Sequence, residues 1–354
     1  MNDLEKFQLS EEQFGPFWRY VKDENVTDID YNGKNLWVTD LSKGHYKAEE
    51  EVTEQFLDQF THNVANCVNK QFNRANKILE ADTKDLRISI LHNSVATTGT
   101  SICIRKSPAI VRNHISDLIE KRFCPEEILH LLINCVQARM NFVCGGEPGH
   151  GKTEFIKFLM QFIHQNERVI TIEDSLEIHY GDINPGSDYV ELRIEDDFDY
   201  TAAIKASLRQ NPKWLVLSEA RSTEVTSLIE QWSTGVKGFT TIHLDDLRKL
   251  PDRILNMMND EKDVARLENR IYSYVNVGIL VRRIEQENGQ IRRYIDQICF
   301  YDRDNNKNRT YMLVEDGEII SRELPKGIIK HLKQYGIENP FICEDMKRYI
   351  EEGR

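Results

Sequence analysis

The sequence predicts a two-domain α/β protein, in which a small α+β domain precedes a larger domain built on a parallel sheet. Three observations support this fold class: hairpin and strand patterns before residue 109, alternating helix and strand patterns after residue 124, and a glycine-rich stretch within that alternation. The length of 354 residues also exceeds one typical domain. The predicted limits are 1–108 for the N-terminal domain, 109–124 for a linker, and 125–354 for the second domain with its C-terminal extension.

The N-terminal domain is predicted from short strands and one helix. Residues 26–39 show a hairpin pattern around Asn32-Gly33, and apolar residues between 52 and 79 recur at close to helical spacing. Strand patterns follow at 86–91 and 101–104. The segment 109–124 is mixed and charged, which makes it the best linker candidate.

The second domain is predicted from elements that alternate along the chain. A helix is expected from Pro125 to about Arg139, a strand at 142–144, a helix that presents Phe155 to Ile163 on one face, and a strand at 169–172. A strand, a crossover helix and a second strand in this order predict a parallel sheet. Further on, strands at 275–281 and 291–300 are expected to join through a turn at Asn288-Gly289.

Composition and charge exclude several classes of protein. Apolar residues make up 40% of the chain and charged residues 29%, which argues against a membrane-spanning, disordered or fibrous protein. The first six residues lack the pattern of a signal peptide. The net charge of -12 argues against wholesale coating of a nucleic-acid backbone, although a local basic groove stays open. Residues 1–60 hold 14 acidic and 6 basic residues, so the N-terminal domain is expected to have an acidic, solvated surface.

The seven cysteines indicate a reducing compartment and no structural zinc. None of them are spaced as C-x-x-C, and Cys103, Cys144 and Cys299 lie in apolar runs. We expect these three side chains to act as small buried hydrophobic groups.

A phosphate-binding loop is the strongest motif. It consists of Gly146, Glu147, Pro148, Gly149, His150, Gly151, Lys152 and Thr153, which fit G-x-x-x-x-G-K-[ST] between a strand and a helix. Its glycines allow backbone N–H groups to converge on a phosphate at the start of the helix. Lys152 is expected to reach the β- and γ-phosphates of ATP, and the Thr153 hydroxyl to bind Mg²⁺.

Polar residues follow the later strands of the same predicted sheet. Glu173 and Asp174 end one strand, where a carboxylate could orient or deprotonate water or simply cap a helix. Glu219 follows the apolar strand 214–217, a Walker B pattern that predicts a group near Mg²⁺ or the water. His243 follows another strand, and a lone histidine is more often structural than catalytic, so without further context a structural role is favoured.

Four segments in order resemble the Walker A, Asp, Walker B and His boxes of the type II/IV secretion ATPases. They are residues 146–153, 171–177, 211–221 and 240–243, and the resemblance covers roughly residues 25–300. It implies a RecA-like P-loop ATPase domain and favours the conjugation (VirB-type) and CpaF-like pilus branches. It also implies that Glu173 is the Asp-box glutamate, Glu219 the Walker B glutamate and His243 a nucleotide-sensing histidine.

The resemblance extends to two arginines and has several departures. Arg87 and Arg105 match the strand positions from which the family's N-terminal domain directs arginines toward the phosphates, or they are ordinary exposed strand residues. Ser218 replaces the usual glycine before the Walker B glutamate, and Glu147 and His150 are unusual loop residues. Glu154 replaces a common threonine and would place a negative charge beside the phosphate site, which predicts weaker nucleotide binding and slow turnover.

Near the C-terminus, Arg282-Arg283 and Arg292-Arg293 flank the expected turn. They would contact an acidic neighbouring subunit or nucleic acid, or form a solvated hairpin face, and the last reading is favoured. The family's tetracysteine module, present in the type II export branch, is absent from the sequence.

The predicted function is that of a cytoplasmic ATPase motor for type IV secretion, conjugation or pilus assembly. The resemblance implies a homo-oligomer, with a hexamer expected, at the cytoplasmic face of membrane-embedded machinery. Glu173 would activate water with help from Glu219, and hydrolysis would drive movement of the N-terminal domain. The alternatives are a RecA-like motor on nucleic acid, a nucleotide-binding assembly scaffold and, less favoured, a P-loop kinase. Direct nucleic-acid binding stays open.

Overall fold

The computed structural model describes residues 9–195, 197–257, 264–286 and 290–354. These residues fall into two compact units. The first takes its residues from Met1–Ala109, Ser175–Glu177 and Glu285–Arg292, and the second from Ile110–Asp174, Ile178–Ile284 and Arg293–Arg354. Each unit has its own sheet and its own hydrophobic core.

The first unit is an antiparallel sheet with short helices. Its elements are α1 (Glu11–Phe14), α2 (Trp18–Lys22), β1 (Val26–Tyr31), β2 (Leu36–Asp40), β3 (Gly44–Lys47), α3 (Glu54–Cys67), β4 (Ile78–Asp82), β5 (Leu86–Leu91) and β6 (Ser101–Lys106). The strand order is β3-β2-β1-β6-β5-β4. In β6 the buried Ile102 and Ile104 alternate with more exposed residues, as expected for a sheet that covers a core with one face. Phe60 and Val64 of α3 belong to that core.

The sequence predicted part of this unit. The hairpin pattern at 26–39 is confirmed, because β1 pairs with β2 in antiparallel register. The helix expected between residues 52 and 79 ends at Cys67, since Asn69 takes a left-handed backbone conformation that stops it. The short strands β3 and β4 lie at the two edges of the sheet and were missed.

From residue 110 onward the chain alternates between helices and strands. The elements are α4 (Ile115–Glu120), α5 (Glu126–Gln137), β7 (Phe142–Gly145), α6 (Lys152–Met160), β8 (Val169–Glu173), α7 (Tyr180–Ile183), β9 (Tyr189–Arg193), α8 (Tyr200–Ser207), β10 (Trp214–Leu217), α9 (Glu224–Ser233), β11 (Lys237–Ile242), α10 (Leu250–Met257), α11 (Val264–Tyr274), β12 (Val277–Glu285), β13 (Ile291–Asp304), β14 (Lys307–Glu315), β15 (Glu318–Ile319), α12 (Lys326–Gln334) and α13 (Met346–Glu351). Among the described residues, no helix has both the length and the apolar character needed to cross a membrane.

The second sheet has the order β15-β14-β13-β12-β7-β11-β10-β8-β9. The six strands from β12 to β9 in this order are parallel, which confirms the predicted parallel core. Parallel strands end at the same edge of a sheet, so the residues that follow β7, β8, β10 and β11 lie along one edge. Strands β13, β14 and β15 extend the sheet beyond β12.

This sheet is covered on both faces. Phe142 and Cys144 of β7 pack into one core cluster, whereas Val143 between them packs into another. The same alternation separates Trp214 from Leu215 in β10. Burial on both faces explains why these strands read as continuous apolar runs in the sequence. Cys144 and Cys299 are buried as predicted, but Cys103 is only half-buried.

The latter half of the predicted linker is folded and buried. Residues 115–120 form α4, and Ile115, Leu118 and Phe123 are buried in the core of the second unit, so the latter half of the segment 109–124 is packed structure rather than open linker. Its helix was missed because it is only 6 residues long. The domain limits themselves stay a prediction. The turn expected at Asn288-Gly289 lies outside the described residues.

A P-loop and the strand ends beside it

The glycine-rich loop joins β7 to α6, as its sequence predicts. Gly146, Gly149 and Gly151 all have positive φ angles, of +147°, +74° and +93°. At Gly146 the requirement for glycine is also steric, since a Cβ there would lie 2.6 Å from the Val281 carbonyl oxygen of β12. The loop therefore leads into the N-terminus of a nine-residue helix, where backbone N–H groups and the helix dipole favour an anion.

Lys152 is the first residue of α6 and is held against the loop. Its Nζ donates hydrogen bonds to the carbonyl oxygens of Gly146 at 2.9 Å and Glu147 at 3.0 Å. The same atom lies 3.4 Å from Nδ1 of His243, the residue after β11. The lysine thus links the loop to the end of a strand adjacent to β7.

His243 in turn contacts the carboxylate that follows β10. Its Nε2 lies 2.5 Å from Oε1 of Glu219. An ammonium group can only donate, so Nδ1 of His243 is the acceptor in its hydrogen bond with Lys152. Lys152, His243 and Glu219 therefore form a continuous series of close contacts along the sheet edge.

Arg221 is a member of this site that sequence reasoning did not assign. Its Nε and Nη2 lie 2.8 and 2.7 Å from Oε2 of Glu219, and its Nη1 lies 2.7 Å from Oδ2 of Asp174, after β8. Burial alone would lower the pKa of Arg221, but the hydrogen bonds and charges of the two carboxylates raise it well above its usual value. The only sequence signal was its place two residues after the Walker B glutamate.

The loop that carries Arg221 is itself fixed. Glu224, at the start of α9, accepts backbone N–H groups from Arg221 at 2.5 Å and Ser222 at 2.7 Å. Thr241 of β11 donates its hydroxyl to the Ser218 carbonyl at 2.7 Å. These bonds hold the segment after β10 against the neighbouring strand, which positions Glu219.

Glu173 ends β8 and is fully buried. Its Oε1 accepts the backbone N–H of Ile178 at 3.1 Å, which orients the carboxylate. Because β8 lies next to β10 in the sheet, Glu173 and Glu219 follow neighbouring strands. Whether either of them acts on water stays a prediction, as does every role assigned to a site residue from the sequence.

Three loop residues were singled out as unusual, and the structure gives each a partner. His150 Nδ1 lies 3.1 Å from the Val281 carbonyl oxygen, and burial lowers the pKa of this ring. Its Nε2 lies 3.6 Å from the Glu147 carboxylate. Glu154 lies 3.3 Å from Lys157 and 3.9 Å from Arg112, so these cations oppose the negative charge that the sequence places beside the phosphate site.

The four C-terminal arginines do not form one solvated face, contrary to the favoured expectation. Arg282 pairs at 2.7 Å with the buried Asp296, and Arg293 Nε donates to the Gly149 carbonyl of the P-loop at 3.3 Å. Arg292 is exposed, and Arg283 is half-buried. The expectation was wrong because β12 pairs with β7, and β13 with β12, so that residues of both strands lie close to the P-loop.

The predicted N-terminal arginines lie in the first unit. Arg105 of β6 pairs with Asp28 at 3.0 Å, and Arg87 stands opposite Arg105 on β5. Both side chains are exposed. Like charges directly opposite each other on neighbouring strands are unfavourable, so this pair is not explained by the stability of the sheet.

The donor set at the sheet edge fits a magnesium nucleotide. The loop has three glycines with positive φ angles and opens onto a helix N-terminus, where backbone N–H groups face an anion. The Thr153 hydroxyl and the Glu219 carboxylate are oxygen donors, the kind of ligand that Mg²⁺ prefers alongside phosphate oxygens.

The fold and the loop together define a RecA-like P-loop domain joined to an N-terminal α+β unit. Comparison with known families is more specific, because the profile described as type II/IV secretion system protein matches residues 65–318. The chain therefore belongs to the type II/IV secretion system protein family, which confirms the resemblance seen in the four motifs.

Individual relatives agree with this assignment. An uncharacterized protein of Bacillus anthracis is 31% identical over 278 residues, which cover 76% of this chain and 62% of the relative. The type IV secretion system protein VirB11 of Brucella suis is 25% identical over 333 residues, which cover 84% of this chain and 91% of the relative. The aligned part spans only 62%, 38% and 54% of the length of the first three curated relatives.

Among solved structures, the pilus retraction motor PilT with bound ADP matches with a TM-score of 0.63. The match covers 98% of this chain and 94% of that chain at 15% sequence identity. At this identity the likeness shows a shared fold.

Proposed function

We propose that this chain is an ATP-hydrolysing motor subunit of a type IV secretion, conjugation or pilus assembly machine. The observation that carries the proposal is the series of close contacts from Lys152 of the P-loop through His243 to Glu219, beside the buried Glu173. Phosphate-binding and carboxylate groups thus meet at one sheet edge, the arrangement that ATP hydrolysis requires.

In this proposal the P-loop binds the phosphates of ATP. Backbone N–H groups at the start of α6 contact the phosphate oxygens, and Lys152 exchanges its loop carbonyl partners for the β- and γ-phosphates. Thr153 and Glu219 would hold Mg²⁺, which neutralises phosphate charge when bound. Phosphoryl transfer needs mainly positioning and charge stabilisation, and these residues provide both.

We assign activation of the attacking water to Glu173. This carboxylate is buried, ends a strand and has its orientation fixed by the Ile178 N–H group. Glu219 assists from the next strand, and His243 senses the nucleotide through its contacts with Lys152 and Glu219. Arg221 positions Glu219 without a direct role in bond breaking.

The proposed motor works as a homo-oligomer, with a hexamer expected, at the cytoplasmic face of a membrane-embedded machine. The Brucella suis relative is named a type IV secretion system protein, which supports this setting. Arg87 and Arg105 of the first unit are proposed to supply positive charge to the phosphates, and movement of that unit would transmit the work of hydrolysis.

The test is ATP hydrolysis by the purified chain, measured as phosphate release with Mg²⁺. We expect Lys152→Ala to abolish hydrolysis and Glu219→Gln to retain nucleotide binding while hydrolysis falls by at least about a hundredfold. Lys205→Ala, an exposed lysine on α8, serves as the matched control and should behave as wild type.

The competing functions give different results. Wild-type activity no higher than that of Lys152→Ala would refute the motor and leave a nucleotide-binding scaffold. Activity that appears only with added single-stranded or duplex DNA would favour a nucleic-acid motor. Light scattering with and without ATP tests the assembly, and a strict monomer under all conditions contradicts the proposal.

A further inference from the structure

An arginine side chain lies along the outer side of the P-loop. Arg293 comes from β13, and its Nε donates to the Gly149 carbonyl at 3.3 Å. A Cβ placed on Gly151 would be 3.4 Å from Cδ of Arg293, so the methylene groups of the arginine run past the glycines of the loop. The guanidinium group therefore lies beside the P-loop.

Other charged groups surround this guanidinium group. Burial and the positive charges of Arg283 and Arg112 together lower the pKa of Arg293 to about 10, whereas Glu154 acts in the opposite sense. Arg293 is therefore still protonated at pH 7. Within the part of the chain that the structure describes, Nε of Arg283 is buried and lacks a hydrogen-bond partner. Placing like charges together beside the loop costs folding free energy, which a functional role would explain.

Glu154 lies near one of these arginines and near a buried lysine. Its Oε2 lies 3.9 Å from Nε of Arg112, and its Oε1 lies 3.3 Å from Nζ of Lys157, a lysine that is only 1% exposed. Glu154 is in the first turn of α6, directly after Thr153. The unusual acidic residue that follows the loop motif thus has two cations close to it and is not an isolated negative charge.

Strand order tells which end of a nucleotide would meet Arg293. Strands β11, β10 and β8, with the residues assigned to hydrolysis, lie on one side of β7 in the sheet. Strands β12 and β13, which carry Arg283 and Arg293, lie on the other side. A nucleotide on the P-loop with its γ-phosphate toward Glu173 and Glu219 would direct its nucleoside toward the arginines.

We propose that Arg293 contacts the nucleoside part of the bound nucleotide and that its guanidinium plane stacks on the base. The neighbouring charges of Arg112 and Glu154 set the electrostatic surroundings of this guanidinium group. This inference rests on the proposed nucleotide binding at the P-loop. A guanidinium group stacks well on an aromatic ring, and the stem of Arg293 is already ordered by its contact with Gly149. Arg293 therefore contributes to affinity rather than to bond breaking.

The experiment is calorimetric titration of the full chain with ATP, ADP and inorganic tripolyphosphate, each with Mg²⁺. We expect Arg293→Ala to weaken ATP and ADP by the same factor, about tenfold, and to change tripolyphosphate by less than about twofold. Lys152→Ala should weaken all three ligands. Arg292→Ala removes the adjacent exposed arginine and is the matched control.

A second variant, Arg293→Lys, is a control for misfolding of Arg293→Ala. Arg293→Lys keeps the charge and most of the stem but not the planar group, so it should bind tripolyphosphate normally and ATP weakly. Equal loss for tripolyphosphate and ATP in the folded variants would place Arg293 at the phosphates and overturn the inference. If Arg293→Ala and Arg292→Ala match wild type for all ligands, the inference fails while the proposed function stands. If wild type binds none of the three ligands, both fail.

Discussion

Replacing Arg221 with glutamine tests how the sheet edge positions Glu219, the carboxylate that we propose acts near Mg²⁺ and the attacking water. Arg221 contacts two carboxylates, Glu219 and Asp174, at 2.7 to 2.8 Å. Hydrogen bonds between charged groups contribute about 1.5–3 kcal/mol when buried, but exposed pairs rarely exceed about 1 kcal/mol. Because the Arg221 side chain is 53% exposed, we take about 1 kcal/mol for each carboxylate. Loss of that amount at Glu219 in the transition state lowers kcat about fivefold.

The assay is steady-state phosphate release across a range of Mg²⁺-ATP concentrations. We expect Arg221→Gln to lower kcat about fivefold with KM changed less than about twofold, since Arg221 touches no residue of the P-loop in the structure described. Arg209→Gln, an exposed arginine of the same unit, is the control. In a Glu219→Gln background the Arg221 change should have little further effect, because the two residues act together. An unchanged kcat, or an equal loss in both backgrounds, would refute the positioning role.

Two further predictions concern the P-loop. Gly146→Ala should weaken ATP binding more than about tenfold, because its φ is +147° and the new Cβ would lie 2.6 Å from the Val281 carbonyl oxygen. Gly149 has a φ of +74° and no heavy atom within 4 Å of the new Cβ, so Gly149→Ala should cost only the free energy of backbone strain, about 1–2 kcal/mol. Calorimetric titration with ATP compares the two variants. Burial lowers the pKa of His150 below 6.5, so the unfolded chain takes up this proton first as the pH falls, and the free energy of unfolding decreases below about pH 6.5. Denaturant titrations at several pH values should show a shallower decrease for His150→Asn, and an identical pH dependence in both proteins would contradict this account.

The motifs at the sheet edge could be predicted because each is local in sequence. The glycines of the P-loop indicate positive φ angles. Apolar runs that end near Glu173, Glu219 or His243 predict strands whose ends carry polar groups. Given parallel strands, their meeting at one edge follows from topology alone. Which of these side chains contact one another could not be predicted from the sequence, because the contacts depend on which strands are neighbours in the sheet.

The residues that were missed illustrate that limit. Arg221 reaches Asp174, which lies 47 positions earlier, only because β10 pairs with β8. Arg293 reaches Gly149 across 144 positions because β13 and β12 follow β7 in the sheet order. The short helix α4 and the edge strands β3 and β4 were missed for a different reason. They hold too few residues to show a hydrophobic period, so their structure depends on the core that they cover.

The contacts of His243 explain how a single histidine could report on the nucleotide. Its Nδ1 faces Lys152 and its Nε2 faces Glu219, and both partners are groups that the proposed mechanism assigns to phosphate and Mg²⁺. When Lys152 turns to a phosphate and a Glu219 oxygen turns to the metal, His243 loses a partner on each side at once. Arg221 holds the other Glu219 oxygen through two N–H groups, so the contact with His243 is the one that yields. In the proposed mechanism the position of His243 would therefore be coupled to occupancy of the P-loop through two contacts, whereas a strand-end histidine with one partner would respond through only one.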